Sequence, residues 1–106
     1  MSAVIKAHAY GNDFLLMPDD GAGGEALAGV ARAACHRHEG IGADGLILYR
    51  VRPRGATMRL LNADGSWSEL SGNGLRCLAA AIARAQGLAA GSTVDLETDP
   101  ANTPLR

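Results

Sequence analysis

A single lysine stands among the 106 residues, with only two cysteines and almost no excess charge of either sign. The lone lysine, Lys6, lies in Val4-Ile5-Lys6-Ala7-His8, where strand alternation places it on the face opposite Ile5. Schiff-base enzymes, pyridoxal phosphate enzymes included, need a lysine held in a pocket, and an exposed strand lysine does not supply one. Two cysteines cannot make a disulfide scaffold, so a reduced, cytoplasmic protein is expected. Lys plus Arg number 10 against 11 Asp plus Glu, a net charge of −1. That balance lacks the electrostatic footprint of a nucleic-acid partner. No apolar run approaches the ~18–20 residues needed to span a bilayer, so no membrane partner is expected. The five residues before Lys6 are too few for a signal peptide.

What is present fits one globular domain, at 47% hydrophobic and 20% charged residues. A chain of this length should have a radius of gyration of ~13 Å and bury roughly 60–70% of its unfolded surface. Residues 4–9 and 14–17 read as strands around a turn at Gly11-Asn12-Asp13, and Pro18-Asp19-Asp20-Gly21 ends the second. Residues 25–38 then take a helical period, with Leu27, Val30, Ala31, Ala34 and Cys35 on one face. Glu25 near the start and His36, Arg37 and His38 near the end suit the helix dipole. Strands are expected at 46–49, 57–61 and 93–98, with a polar turn over 50–55 and a hairpin-type signal at Asn62-Ala63-Asp64-Gly65. A second helix opens at Ser71-Gly72-Asn73-Gly74 and runs to about Gln86, burying Leu75, Leu78, Ala79 and Ile82, with Gly87 as its C′ residue. The order of elements is α+β or mixed α/β. Residues 1–98 form the domain, and residues 99–106 are expected to be a disordered or truncated tail.

Three stretches invite chemistry. Gly40-Ile41-Gly42-Ala43-Asp44-Gly45 matches G-x-G-x-x-G, but a dinucleotide fingerprint follows a strand and opens a helix. Here a helix precedes and a strand follows, so a structural loop is the better reading. Cys35, His36 and His38 suggest a metal, yet Cys35 and His36 point about 100° apart on a helix, with no second cluster to complete four ligands. No metal is expected. Ser71-Gly72-Asn73-Gly74 places two glycines at the mouth of a helix, where backbone N–H groups and the positive dipole end can receive a carboxylate or phosphate. Taken alone, the same stretch reads better as an N-cap serine followed by a glycine-rich turn, because serine is a favoured N-cap.

It does not stand alone. Gly11-Asn12-Asp13-Phe14, Arg37-His38-x-Gly40-Ile41-Gly42-Ala43-Asp44-Gly45, Asn62-Ala63-Asp64-Gly65-Ser66 and Ser71-Gly72-Asn73-Gly74-x-Arg76-Cys77 together resemble the diaminopimelate epimerase family, in order and in spacing. The resemblance runs from about Lys6 to Thr98 and covers the first half of the family's chain. It implies one lobe of a two-lobed fold, a mixed sheet packed around a helix. It also implies an isomerase of lysine biosynthesis that inverts the α-carbon of LL-diaminopimelate to the meso form without a cofactor. Family members use two cysteines, one from each lobe, on opposite faces of that carbon.

By the same resemblance, Asn12, Asn62 and Asn73 would bond the substrate's amino and carboxylate groups, with Gly72 and Gly74 at the helix mouth. Each asparagine also suits a turn on its own account. This lobe's catalytic position falls at Ser71, where the family has cysteine. A serine hydroxyl is far less acidic than a thiol and needs an adjacent base. Cys77, six residues on and nearly two turns into the helix, is no substitute. The chain by itself is therefore expected to be inactive in epimerisation. The alternatives are a non-catalytic remnant or module that binds an amino-acid carboxylate, and one subunit of a split enzyme of the proline or hydroxyproline racemase type. In that last case a second chain supplies the other lobe. The partner expected in every case is a small amino-acid substrate.

Overall fold

The computed structural model describes residues 4–9, 11–21, 23–53, 55–68, 72–87 and 95–98. Strand β1 (Ile5–Ala9) pairs antiparallel with β2 (Asn12–Pro18), Ala9 lying opposite Asn12. Gly11, at φ +86°, supplies the left-handed conformation that this tight reversal needs. Helix α1 (Gly24–Cys35) leads to β3 (Gly45–Arg52), parallel to β2, and β4 (Gly55–Asn62) returns antiparallel. Helix α2 (Gly72–Ala85) leads to β5 (Asp95–Thr98), parallel to β4. The five strands lie in chain order, β1-β2-β3-β4-β5, in one mixed sheet. The radius of gyration is 13.1 Å.

Connectivity dictates where the helices go. Both crossovers step the same way across the sheet, but β2 and β4 run in opposite directions. Crossovers of one hand must therefore lay α1 and α2 on opposite faces. The cores agree. Leu15, Leu46, Leu48 and Leu61 pack with Leu27, Ala31 and Cys35 of α1, whereas Phe14, Leu16, Ile47, Met58 and Leu60 pack with Cys77, Leu78 and Ile82 of α2. The fold is α+β, consistent with one lobe of the architecture the sequence resembles.

Four local expectations need correction. Val30 is 43% exposed, not part of the buried stripe. The stripe centres on Ala31, and a neighbouring residue points ~100° away from it. Helix α1 stops at Cys35, so His36, Arg37 and His38 lie beyond it; the basic residue in its last turn is Arg32. The imidazole Nδ1 of His36 accepts the backbone N–H groups of His38 (3.2 Å) and Glu39 (3.1 Å), turning the chain out of the helix. The polar turn over 50–55 is not borne out at either end, because Arg50, Val51 and Arg52 continue β3 opposite Thr57, Ala56 and Gly55. Ladder hydrogen bonds carry that exposed end without an apolar pattern. Finally, α2 buries Gly74 and Cys77 alongside Leu78 and Ile82, while Leu75 and Ala79 are only half-buried.

The glycine-rich loop after α1 is structural. Ile41 and Gly42 both donate backbone N–H groups to the Ala34 carbonyl at 3.0 Å, and Ala43 donates to that of Cys35 at 3.1 Å. A Cβ on Gly40 would collide with the Ala33 carbonyl and come within 2.8 Å of that of Ala34. Gly42 sits at φ +87°. Together they satisfy the carbonyls that a helix end leaves open. On the α1 face, Arg59 and Asp19 form a buried two-pronged ion pair at 2.7 and 2.6 Å, with the Trp67 ring 5.7 Å from the guanidinium carbon. Gly87, at φ +65°, follows α2 as its C′ residue. Among the described residues, no helix is long and apolar enough to cross a membrane. Residues 99–106 lie outside the described residues.

Candidate functional site

One end of the sheet gathers the start of β2, the start of β3, the end of β4 and the first turn of α2. Pairing across the sheet sets this: Phe14 lies opposite Gly45, and Gly45 opposite Asn62. Asn12 and Asp13 therefore sit beside Asp44. The first turn of α2, Gly72-Asn73-Gly74, carries no acidic residue, so the positive end of the helix dipole is not offset within that turn.

Asn12 and Asn73, 61 residues apart, meet across this mouth. Asn73 Nδ2 donates to Asn12 Oδ1 at 2.6 Å, and Arg76 Nη1 donates to Asn73 Oδ1 at 3.1 Å. Asn12 Nδ2 in turn approaches Asp44 Oδ2 at 3.4 Å, a long hydrogen bond. Asp44 also accepts the Asp13 backbone N–H at 3.0 Å. Arg37 bridges the two carboxylates, with Nη1 and Nη2 at 3.1 and 2.9 Å from Asp13 and Nη2 at 3.0 Å from Asp44. Lys6 Nζ adds a contact to Asp13 at 3.5 Å, so this lysine is a partner in an ion cluster. The Arg37 fork beside it holds the Asp13 carboxyl well below the usual carboxylate range, and the same contact pushes Arg37 upward.

Of the residues singled out from sequence, Asn12, Gly72, Asn73 and Gly74 come together. Among the described residues, only Arg76 Nη1 lies near Gly72, 3.6 Å from where its Cβ would be. Asn62 lies at the same sheet end but turns inward on its own loop: its Nδ2 donates to Ser66 Oγ at 2.9 Å, and that hydroxyl donates to Asp64 at 2.6 Å. Ser71 lies outside the described residues. Both cysteines are buried in the cores, and burial pushes both thiols up, so neither is a ready thiolate. Among the described residues, no three His, Cys, Asp or Glu side chains converge as metal ligands would. Beside the mouth, a groove of about 540 Å³ runs between β1 and α2, lined by Ala7, Ala9, Cys77 and Ala81 with Lys6 and Arg76.

The family model for diaminopimelate epimerase matches residues 4–102. The chain belongs to the diaminopimelate epimerase family. It is 44% identical over 102 residues to the diaminopimelate epimerase of Moorella thermoacetica, an alignment covering 89% of this chain and 34% of that protein. Diaminopimelate epimerase 1 of a Nostoc species is 45% identical over 86 residues, covering 78% of this chain and 31% of its own length. A putative chloroplastic diaminopimelate epimerase of Oryza sativa subsp. indica is 41% identical over 87 residues, covering 79% and 24%. The chain thus spans about a third or less of these relatives' length and matches their N-terminal part.

Three residues of the diaminopimelate epimerase motifs had no role at the site assigned from sequence: Asp13, Arg37 and Asp44. Their signal lay in the motifs themselves, Gly11-Asn12-Asp13-Phe14 and the run from Arg37 to Gly45. Arg37 and Asp44 are 7 positions apart within one motif, but the contacts that tie Asp13 to them join residues 24 and 31 positions apart and could not be read there.

Proposed function

We propose that this chain is a substrate-binding lobe of a cofactor-independent amino-acid epimerase acting on diaminopimelate, and that it does not invert the α-carbon by itself. The observation that carries this reading is the Asn12–Asn73 hydrogen bond across the mouth of α2. Each side-chain amide has a second N–H beyond those used in the network, and the opening turn of α2 adds its dipole. A carboxylate suits that set of donors. Asn62, at the end of β4, holds Ser66 with one amide N–H and has its second N–H to offer a ligand.

Inversion needs a base on one face of the α-carbon and an acid on the other, because the proton leaves from one side and returns to the opposite one. Without a cofactor to delocalise the carbanion, charge must be held by fixed donors in a water-poor cleft. Ser71 occupies this lobe's proton-transfer position. Its hydroxyl can bond substrate, but it is a poor base, and the buried thiols of Cys35 and Cys77 cannot replace it. A second lobe, carrying its own thiol, would serve the other face of the substrate and close the cleft. Such a lobe can be supplied by a separate chain.

The test is proton exchange. LL-diaminopimelate incubated with the purified chain in D2O should gain no α-deuterium and form no meso isomer. Conversion at enzyme-like rates would show that one lobe suffices and overturn the reading.

A further inference from the structure

We propose that Asp44, Arg37 and Asp13 are positioning residues that fix which way the Asn12 amide faces and, through it, that of Asn73. The inference rests on the reading that these two amides meet the ligand. A primary amide is nearly symmetric in shape but not in chemistry: one end accepts and the other donates. Turned the wrong way, it presents a lone pair where a ligand carboxylate needs a donor.

The two ends of the hydrogen-bond chain remove that freedom. At one end stands Arg76, whose guanidinium only donates, and it faces Asn73 Oδ1 at 3.1 Å. At the other stands Asp44, whose carboxylate only accepts; it faces Asn12 Nδ2 at 3.4 Å and the Asp13 N–H at 3.0 Å. Between them, donation runs in one sense: Arg76 to Asn73, Asn73 to Asn12, Asn12 to Asp44. Flipping either amide would set acceptor against acceptor and donor against donor. Asp44 is itself held in place. Its backbone N–H donates to Asp13 Oδ1 at 3.0 Å, and Arg37 grips its Oδ1 at 3.0 Å while clasping Asp13 with both prongs. Arg37 extends from the segment just beyond α1 and Asp44 from the start of β3, so the end of α1 is coupled to the mouth of α2. The network is solvent-exposed, and the contributions of its members are apportioned cleanly only by double-mutant cycles.

Two measurements test this, the first with no ligand. In Asp44→Asn, the side-chain amide resonances of Asn12 and Asn73 should both move, while backbone resonances of β3 and β4 stay in place. If those amides do not move, the bracket does not set their direction. Arg37→Lys is the second variant: it keeps the charge but cannot clasp both carboxylates. It should move the same resonances even if Asp44→Asn fails to fold. The second measurement titrates meso-diaminopimelate. Asp44→Asn should weaken binding roughly tenfold, the worth of one good hydrogen bond, yet add nothing when Asn12 is already alanine. Losses that multiply would show that Asp44 acts independently of Asn12. If the wild-type chain binds no diaminopimelate, the binding reading fails, and the ligand-free resonances alone decide the bracket.

Discussion

Asp13 and Asp44 each accept the other's backbone N–H, both over 3.0 Å. Two carboxylates so placed would repel one another, and Arg37, bonded to both, offsets that repulsion. The sheet sets the geometry, since Phe14 and Gly45, the next residues along, are partners across β2 and β3. A backbone pairing thus delivers the charge cluster that holds Asn12.

Acid should loosen this end of the molecule. Asp13 and Asp19 are both depressed in the folded chain: Asp13 chiefly by Arg37, and Asp19 against burial, its largest single influence, by Arg59, the Gly21 N–H and Arg50 together. A depressed carboxyl favours folding above its unfolded pKa of about 4, and that contribution fades as pH falls below it toward the folded value. Urea midpoints should therefore be level from about pH 7 to 5 and fall steadily below about pH 4. Arg37→Gln should be less stable at pH 7 and show a shallower acid slope, with Asp19 supplying what remains. An unchanged slope would mean that Arg37 is not what depresses Asp13.

The buried pair on the α1 face gives a sharper test of packing. Asp19 and Arg59 are 3% and 7% exposed, and Arg59→Met would leave the buried carboxylate with the Gly21 N–H and the more distant Arg50, 3.9 Å away. A loss of about 3 kcal/mol is expected, since breaking a buried pair leaves a charge without its partner. Adding Asp19→Asn should recover much of it. The fluorescence of Trp67, the chain's one tryptophan and a neighbour of Arg59, provides the unfolding signal. Equal stabilities for the single and double variants would show that the stranded charge is not the cause.

Two glycines should behave in opposite ways. Gly40→Ala forces a methyl into the Ala33 and Ala34 carbonyls and should cost about 2 kcal/mol, an overpacking penalty. Among the described residues Gly72→Ala meets only Arg76 Nη1, at an ordinary van der Waals 3.6 Å, and should leave thermal stability within a degree or two. Its effect should appear in diaminopimelate binding instead. A Gly72→Ala protein that melts early would mark Gly72 as structural.

How much of this could be read in advance depended on range. Residues with a period or a punctuating glycine showed themselves: the Leu27, Ala31 and Cys35 stripe, the Gly11 turn and the α2 boundary near Gly87 follow from local spacing. Failures occurred where a neighbour decides the outcome. Val30 has the right spacing for the stripe but falls outside what the sheet covers, and Arg50, Val51 and Arg52 are held as strand by partners rather than by pattern. Arg59 sits in an apolar strand run with nothing nearby in sequence to announce Asp19, 40 positions away. At the site, the resemblance nominated Asn12 and Asn73, but each has a sufficient local explanation as a turn or helix-start residue. Only the contact between them, 61 positions apart, makes them a pair.

The most direct measurement is a titration of the 15N-labelled chain with meso-diaminopimelate, followed by amide resonances. The expected result is saturable movement of the Gly72, Asn73 and Gly74 backbone signals, together with the side-chain amides of Asn12 and Asn73. Saturation with those signals still, or movement confined to the groove between β1 and α2, would contradict a binding site at the mouth of α2.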